Sequence, residues 1–205
     1  MLSPPALAVL AQYEARRAAE ELLPDDTPAD AYLLSVGPEA GALLHALVVG
    51  AGATRILELG TSYGYSTLFL ADAAARTGGR VVTVDLVADK QAYARDRLAE
   101  AGLAQHVDWR TGDAVALIKK ERGPFDFVLL DVWKELYRPC LAAFHPKLAE
   151  GAIVVADNML HPESTLPEAR AYRAAVAKLP DMTSALLPVG HGLELSCRWG
   201  KGRKA

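Results

Sequence analysis

The stretch ILELGTSYGYS, residues 56–66, decides the fold of this chain. Its apolar first half runs into a turn that contains Gly60 and Gly64, and the sequence after the turn is typical of a helix. Glycines let the backbone turn sharply and let a ligand approach closely, and ligands of open α/β sheets bind beyond the carboxyl ends of the strands. The stretch therefore predicts a buried strand, a ligand-binding turn and a helix.

Short apolar strands alternate with helices on both sides of this turn. Strands are predicted over residues 55–59, 80–85, 107–110, 125–131 and 152–156, and helices over 66–75, 90–101, 114–120 and 137–148. Such alternation is typical of a parallel sheet covered by helices on both faces. The segment VDWR at 107–110 is the least apolar of the strands, and we expect it near an edge of the sheet.

The last quarter of the chain has a different pattern. A helix over 167–179 precedes two strand-like runs, 182–189 and 193–199, which are joined by Gly190-His191-Gly192 and indicate an antiparallel hairpin. The complete prediction is an α/β fold, with a Rossmann-like doubly wound sheet of seven strands, mostly parallel with a C-terminal antiparallel hairpin, plus N-terminal helices.

The N-terminal residues predict two helices before the sheet begins. Apolar residues at helical spacing indicate a helix over 6–23, and Pro38 suits the first turn of a second helix over 37–49. We predict one domain over 1–205, with a helical appendage over 1–50 and a Rossmann-like core over 53–200. The first helix could cover the active site as a lid or form the contact of a homodimer.

Composition excludes several classes of function. The chain has 205 residues, 51% of them hydrophobic and 23% charged, with a formal net charge of -3. Its basic residues are scattered apart from the tail Lys201, Arg203 and Lys204, which we expect to be a solvated end, so no nucleic-acid partner is predicted. Cys140 and Cys197 are far apart, which argues against disulfides or a thiolate zinc site.

No apolar run approaches the ~20 residues of a membrane span, and the N-terminus lacks a basic segment before its apolar residues. We therefore expect a cytoplasmic protein without a membrane partner.

The glycine turn and the next strand ends favour an adenosine-containing cofactor. The spacing is GxxxG rather than GxGxxG, and Tyr63 and Tyr65 crowd the turn, so a cofactor without a pyrophosphate fits best. Asp85 ends the second strand about 20 residues beyond Gly64, where an acid can accept hydrogen bonds from both ribose hydroxyls. The alternative interpretation is a set of tight turns with ordinary helix caps.

The third strand ends at Gly112-Asp113-Ala114, where the adenine would lie. Asp113 could accept a hydrogen bond from the adenine amine or cap the following helix, and the sequence leaves both roles open.

Oxygen-bearing side chains follow the fourth and fifth strands. Asp131 ends one apolar strand, and Asp157 and Asn158 end the next. Two carboxylates and an amide oxygen suit a hard cation such as Mg²⁺, with remaining positions left for water or substrate. The alternative is that these residues only begin turns, which is their commonest role.

Together these segments resemble known methyltransferases. ELGTSYGYS, Asp85 and GDA resemble the glycine loop, ribose acid and adenine segment of class I S-adenosylmethionine methyltransferases. SVGPEAG at 35–41, DVWKELY at 131–137, ADN at 156–158 and HGLELS at 191–196 resemble segments of catechol O-methyltransferase and its relatives in metal-dependent O-methyltransferase family 3. The resemblance covers most of the chain.

The resemblance implies a role for each site residue. Glu58 would be the leading acid of the motif, and Ser66 would bond the carboxylate of the methionine part of the cofactor. The implied cofactor-binding residues are Val36, Glu58, Gly60, Tyr65, Ser66, Asp85, Gly112, Asp113, Ala114, Asp131 and Trp133. Asp131, Asp157 and Asn158 would bind the metal, Lys134 would be the general base, and Glu194 would bond the second acceptor hydroxyl.

These roles predict a metal-dependent O-methyltransferase that uses S-adenosylmethionine and a small catechol-like aromatic acceptor. Trp133, Tyr32 and the loop with Leu160 and Pro162 are candidate walls for a flat acceptor. The chain has Val132 where catechol enzymes have His, and Trp133 where relatives with larger phenolic esters have a second acid. Alternatives are a non-catechol acceptor, a non-catalytic cofactor-binding protein, and a nicotinamide-dependent oxidoreductase, which the missing GxGxxG disfavours.

Overall fold

The computed structural model describes residues 2–24, 26–28 and 31–200, so the basic tail predicted to be a solvated end lies outside it. The strands are β1 (Arg55–Leu59), β2 (Arg80–Asp85), β3 (Val107–Thr111), β4 (Phe125–Leu130), β5 (Leu148–Ala156), β6 (Met182–Leu187) and β7 (Leu193–Arg198). They form one sheet in the order β3-β2-β1-β4-β5-β7-β6.

The strands from β3 through β5 in this order are parallel, and β7 pairs antiparallel with both of its neighbours, β5 and β6. The predicted seven-stranded Rossmann-like sheet with a C-terminal hairpin is confirmed, and β3 lies at an edge as expected. Strand order reverses between β1 and β4, where the connections leave in opposite directions and open a crevice.

Helices cover both faces of this sheet. They are α1 (Pro4–Glu20), α2 (Pro38–Ala51), α3 (Tyr65–Thr77), α4 (Ala88–Glu100), α5 (Ala114–Lys120), α6 (Tyr137–Phe144) and α7 (Leu166–Val176). Successive strand residues point to opposite faces, so Ile56 belongs to the apolar layer under α2 and α3, and Leu57 to the layer under α6 and α7. Among the described helices none is long and apolar enough to cross a membrane.

Several predicted boundaries were wrong: the helix predicted over 167–179 spans Leu166–Val176, and the strand predicted over 182–189 ends at Leu187. At two further helix ends a proline explains the difference. The first helix ends at Glu20 instead of 23, because Pro24 disfavours helical backbone at the residue before it. The helix predicted over 137–148 ends at Phe144, because Pro146 has no backbone N–H to donate. Residue Leu148 instead begins β5 and pairs with Phe125 of β4.

Candidate active site

A cavity of about 850 Å³ lies at the carboxyl ends of the parallel strands, beside the point where strand order reverses. Most of the predicted site residues line it. They are Val36, Gly60, Tyr65, Ser66, Asp85, Gly112, Asp113, Ala114, Asp131, Trp133, Lys134, Asp157 and Asn158. Glu58 and Glu194 were predicted with them but are not among the lining residues.

The turn after β1 is shaped by contacts between chain segments. Gly60 has a φ of +103°, and a Cβ at this position would overlap the backbone carbonyl oxygen of Asp131. Gly64 has a φ of +90°, and a Cβ there would lie 2.6 Å from the Cβ of Ala94 and 3.0 Å from the hydroxyl oxygen of Tyr13. The packing of the protein therefore requires both glycines, whether or not a ligand is bound.

Glu58 lies beneath the cavity at the centre of a buried hydroxyl network. It accepts hydrogen bonds from Ser66 Oγ at 2.7 Å and from Thr67 Oγ1 and Thr83 Oγ1 at 2.6 Å each. Burial raises the pKa of Glu58 to about 7, although the three hydroxyl donors oppose this shift. Ser66 lines the cavity, but its hydroxyl hydrogen is donated to Glu58, so in this structure it is not directed at a cofactor carboxylate.

The acids after β2 and β3 have backbone partners. Asp85 accepts from the N–H of Ser62 at 2.7 Å and from the N–H of Val87 at 2.9 Å, which fixes its carboxylate at the cavity wall. Asp113 accepts from the N–H of Ala116 at 2.7 Å and so caps α5. The capping role of Asp113 is therefore present in the structure, and its contact with adenine stays a prediction.

The cavity residues that follow β4 and β5 are grouped around the amine of Lys134. This nitrogen donates to Tyr137 Oη at 2.6 Å, to Asn158 Oδ1 at 2.7 Å, to the carbonyl oxygen of Val132 at 3.1 Å and to Asp131 Oδ1 at 3.4 Å. The side chain of Lys134 is only 11% exposed. One cation therefore already lies within reach of oxygens from Asp131 and Asn158.

Asp157 completes this group with an oxygen that has no partner. Its Oδ1 is buried without a hydrogen bond from any residue that the structure describes. Burial raises the pKa of this carboxyl, and the nearby charge of Asp131 raises it further. A buried, unpaired carboxylate is costly unless a cation or a donor compensates it, so this donor set fits a hard divalent cation.

That ligand set would consist of two carboxylates and one amide. Within the described ranges, no three side chains of His, Cys, Asp or Glu converge as a metal-binding group. An amide oxygen is nevertheless an ordinary ligand for Mg²⁺ or Ca²⁺, so Asn158 would supply the third protein contact.

Glu194 pairs with Ala156, the last residue of β5, but its side chain does not line the cavity. It is buried on β7, and its Oε2 accepts from Nε of Arg173 at 2.7 Å. The structure thus gives this carboxylate a partner within the protein, and its contact with the acceptor stays a prediction.

Several cavity residues were missed from the sequence. Leu34 lines the cavity in a left-handed conformation, with a φ of +50°, and half of its surface is exposed. Its neighbour Leu33 is held by hydrogen bonds from its N–H to Glu20 Oε1 and from Ser62 Oγ to its carbonyl oxygen. Of the predicted acceptor walls, Trp133 and Pro162 line the cavity, whereas Tyr32 and Leu160 are not lining residues.

Most of the chain matches the model of a known protein family. Residues 15–199 match the family model described as O-methyltransferase, a region that contains the glycine turn and every predicted strand end. The chain belongs to the O-methyltransferase family. The predicted family membership is therefore confirmed.

Individual relatives of this O-methyltransferase family member are themselves O-methyltransferases. It is 34% identical over 139 residues to a catechol O-methyltransferase of Niastella koreensis, a match that covers 66% of this chain and 62% of the relative. A caffeoyl-CoA O-methyltransferase of Eucalyptus globulus is 28% identical over 191 residues, covering 81% of this chain and 75% of the relative. The matched region thus spans less than two thirds of the first of these relatives.

Solved structures share the whole architecture. The O-methyltransferase TomG from Streptomyces achromogenes, solved in complex with S-adenosylmethionine, superposes with a TM-score of 0.79 at 30% identity. The superposition covers 94% of this chain and 90% of TomG.

Proposed function

We propose that this protein is an O-methyltransferase that uses S-adenosylmethionine and a divalent metal to methylate one hydroxyl of a small catechol-like acceptor. The observation that carries the proposal is the unpaired buried oxygen of Asp157, which lies beside Asp131, Asn158 and Lys134 in one cavity. The same cavity is also lined by Gly60 of the glycine turn and by Asp85. The proposed cofactor site and the proposed chelating acceptor site would thereby be adjacent.

The chain's own residues account for most of the chemistry. Asp85, fixed by two backbone donors, would accept the ribose hydroxyls, and the Gly60 turn would leave space for the methionine part. Asp131, Asp157 and Asn158 would hold Mg²⁺, which when bound lowers the pKa of an acceptor hydroxyl. Lys134 would take the proton from that hydroxyl.

Once the acceptor hydroxyl has lost its proton, methyl transfer depends mainly on the alignment of the reacting atoms. The acceptor oxygen, the methyl carbon and the sulfonium sulfur must be in line, with reacting atoms about 3 Å apart. Trp133 and Leu34 line the cavity with apolar side chains and would confine a flat acceptor between them.

The relatives leave two acceptor classes to distinguish. The Niastella relative is named for catechol and the Eucalyptus relative for a coenzyme A ester. Trp133 stands where the resemblance implies a second acid in enzymes that act on larger phenolic esters, which favours the catechol type. A non-catechol chelating acceptor and a non-catalytic cofactor-binding protein are the competing hypotheses.

The test is a methyl-transfer assay with a catechol and a monophenol, each with Mg²⁺ and with a chelator. We expect transfer to the catechol alone, and only when the metal is present. Equal rates on both acceptors that are insensitive to the chelator would contradict the metal mechanism.

Asp157→Ala tests whether the proposed metal ligands are separate from the proposed cofactor site. We expect the rate to fall about 100-fold or more, since even outer partners of metal ligands cost ~10–100-fold. S-adenosylmethionine affinity, measured by calorimetry, should be retained. Asp96→Ala, which removes an exposed carboxylate of α4 outside the cavity, is the matched control and should behave as wild type.

A further inference from the structure

Tyr137, the first residue of α6, lies buried directly behind the amine of Lys134. Its hydroxyl oxygen is 2.6 Å from Lys134 Nζ, the shortest of the four contacts of that nitrogen, and Nζ also lies 4.6 Å from the centroid of the tyrosine ring. Neither the proposed chemistry nor the predicted site residues include this tyrosine.

The direction of each hydrogen bond is fixed by the groups involved. The Tyr137 hydroxyl donates its only hydrogen to the carbonyl oxygen of Asp157, at 3.1 Å. Tyr137 can therefore only accept from Lys134.

This polarity determines where a neutral amine can present its lone pair. A neutral amine has two hydrogens and one lone pair, and each protein group within 3.4 Å of Nζ is a hydrogen-bond acceptor. The hydrogens are attracted to these acceptors, and the lone pair is directed away from Tyr137. The side of Nζ away from this buried ring is the open cavity.

The tyrosine ring is itself held in place from behind. It makes an edge-on contact with the ring of Tyr172, with centroids 5.5 Å apart and an interplanar angle of 78°. Tyr172 is equally buried, but its hydroxyl has no hydrogen-bond partner in the part of the chain that the structure describes. The hydroxyl of Tyr137 contacts Lys134, whereas that of Tyr172 does not. Tyr172 is therefore a matched control for Tyr137.

We propose that Tyr137 is a positioning residue that orients the amine of Lys134 towards the acceptor hydroxyl. The inference rests on the proposed function, because it assumes that Lys134 is the base. Tyr137 acts only through Lys134 and through the backbone of Asp157, and it does not contact the acceptor.

The kinetic test compares Tyr137→Phe with Tyr172→Phe, each of which removes one buried hydroxyl and keeps the ring. Assays are run at a temperature where circular dichroism shows every variant to be folded. For Tyr137→Phe we expect kcat to fall about 10-fold, a part of the ~10²–10⁴-fold that a positioned base supplies. The KM of the acceptor and the Kd of S-adenosylmethionine should change by less than about twofold, because the interaction acts on proton transfer rather than on binding. Tyr172→Phe should match wild type in kcat.

A double-variant cycle separates positioning from general damage. Lys134→Ala should abolish most of the activity, and adding Tyr137→Phe to it should cause no further loss. A further 10-fold loss in the double variant, an unchanged kcat in Tyr137→Phe, or an equal loss in Tyr172→Phe would each overturn the inference. Wild-type activity in Lys134→Ala would instead refute the proposed base, which is a different failure.

Chemical labelling gives a readout that does not depend on activity. With metal-free wild-type protein and acetic anhydride, mass spectrometry should show Lys134 acetylated more slowly than the exposed Lys119. Tyr137→Phe should raise the labelling rate of Lys134, and Tyr172→Phe should not. Equal labelling of Lys134 and Lys119 in the wild type would show that the lysine is not held, and would also overturn the inference.

Discussion

At the scale of single residues, Gly60 is the position where the candidate site has least tolerance for change. Its backbone passes so close to the end of β4 that a Cβ would occupy the position of the Asp131 carbonyl oxygen. Asp131 is in turn fixed by a hydrogen bond from its N–H to the carbonyl oxygen of Leu59, at 2.8 Å. The cofactor turn and a proposed metal ligand are therefore held in one rigid contact.

Gly60→Ala should consequently destabilise the protein by more than about 3 kcal/mol, because backbone overlap and a positive φ act together. Gly50→Ala is the control, since a Cβ on that helical glycine would meet nothing within 4 Å among the described residues. It should stabilise by about 0.5–1 kcal/mol. Denaturant unfolding measures both; a Gly60→Ala variant as stable as Gly50→Ala would contradict the packing described.

Glu58 makes stability depend on pH near neutrality. Its folded pKa of about 7 lies above its ordinary value of 4.5, so below pH 4.5 the group is protonated in both states. Between these values the folded protein retains a proton that the unfolded chain has lost, and stability falls as pH rises. Above pH 7 the loss is complete.

Glu58→Gln should therefore flatten this part of the stability curve. Unfolding free energies of wild type and variant at pH 5 and pH 8 provide the measurement. Wild type should lose stability between these values relative to Glu58→Gln, whereas Glu39→Gln, at an exposed site on α2, should follow wild type. Parallel curves for wild type and Glu58→Gln would refute the assignment.

At the scale of elements, Asp72 joins three of the helices on one face of the sheet, α1, α2 and α3. From α3 its Oδ1 accepts from the N–H of Ser3 at the start of α1, at 2.9 Å. Its Oδ2 contacts Nε2 of His45 on α2 at 3.0 Å and Nε of Arg76 at 2.9 Å. Burial opposes ionisation, but these hydrogen bonds together lower the pKa of Asp72 to about 2.

Asp72→Asn should cost about 1–3 kcal/mol at pH 7, the usual cost when a buried charge-assisted hydrogen bond is lost. Because the folded pKa lies below its ordinary value of 3.8, the stabilisation is present above pH 3.8 and disappears as pH falls towards 2. Unfolding curves of both proteins should therefore converge in acid. A constant difference from pH 7 to pH 2 would indicate lost packing alone.

Elements were predictable from the sequence where local periodicity decides them. Apolar runs identified β1, β2, β4 and β5 because inner parallel strands are buried on both faces, whereas the Gly190-His191-Gly192 turn identified the hairpin of β6 and β7. The predicted helix ends failed at 23 and 148, where prolines outweighed a continuing pattern of helix-forming residues. Local composition therefore predicts the existence of a helix or strand more reliably than it predicts the residue at which that element ends.

Site residues were predictable where topology brings them together. Asp85, Asp131 and Asp157 share one cavity because the carboxyl ends of parallel strands meet at one edge. Side-chain partners were not predictable in this way. The contact of Ser66 with Glu58 and that of Arg173 with Glu194 depend on three-dimensional packing, and no spacing in the sequence indicates them.

At the scale of the whole molecule, the cofactor should stabilise the fold by mass action. S-adenosylmethionine at 100 times its Kd adds about 2.7 kcal/mol, which raises the Tm of a chain of this size by about 5–10 °C. NAD should cause no such shift, and Asp157→Ala should show the same shift as wild type. A thermal melt with each ligand decides this; a shift with NAD alone would support the rejected oxidoreductase.

The reversal of strand order between β1 and β4 has a consequence for how this enzyme could diversify. Most of the proposed cofactor contacts precede β4 in the chain, and the proposed acceptor contacts follow β4 and β5. Because the segment 159–168 contains cavity-lining residues but none of the proposed cofactor contacts or metal ligands, mutations in it can alter acceptor choice without altering the glycine turn. Laboratory evolution of a new acceptor should therefore randomise that segment first and leave 58–66 untouched.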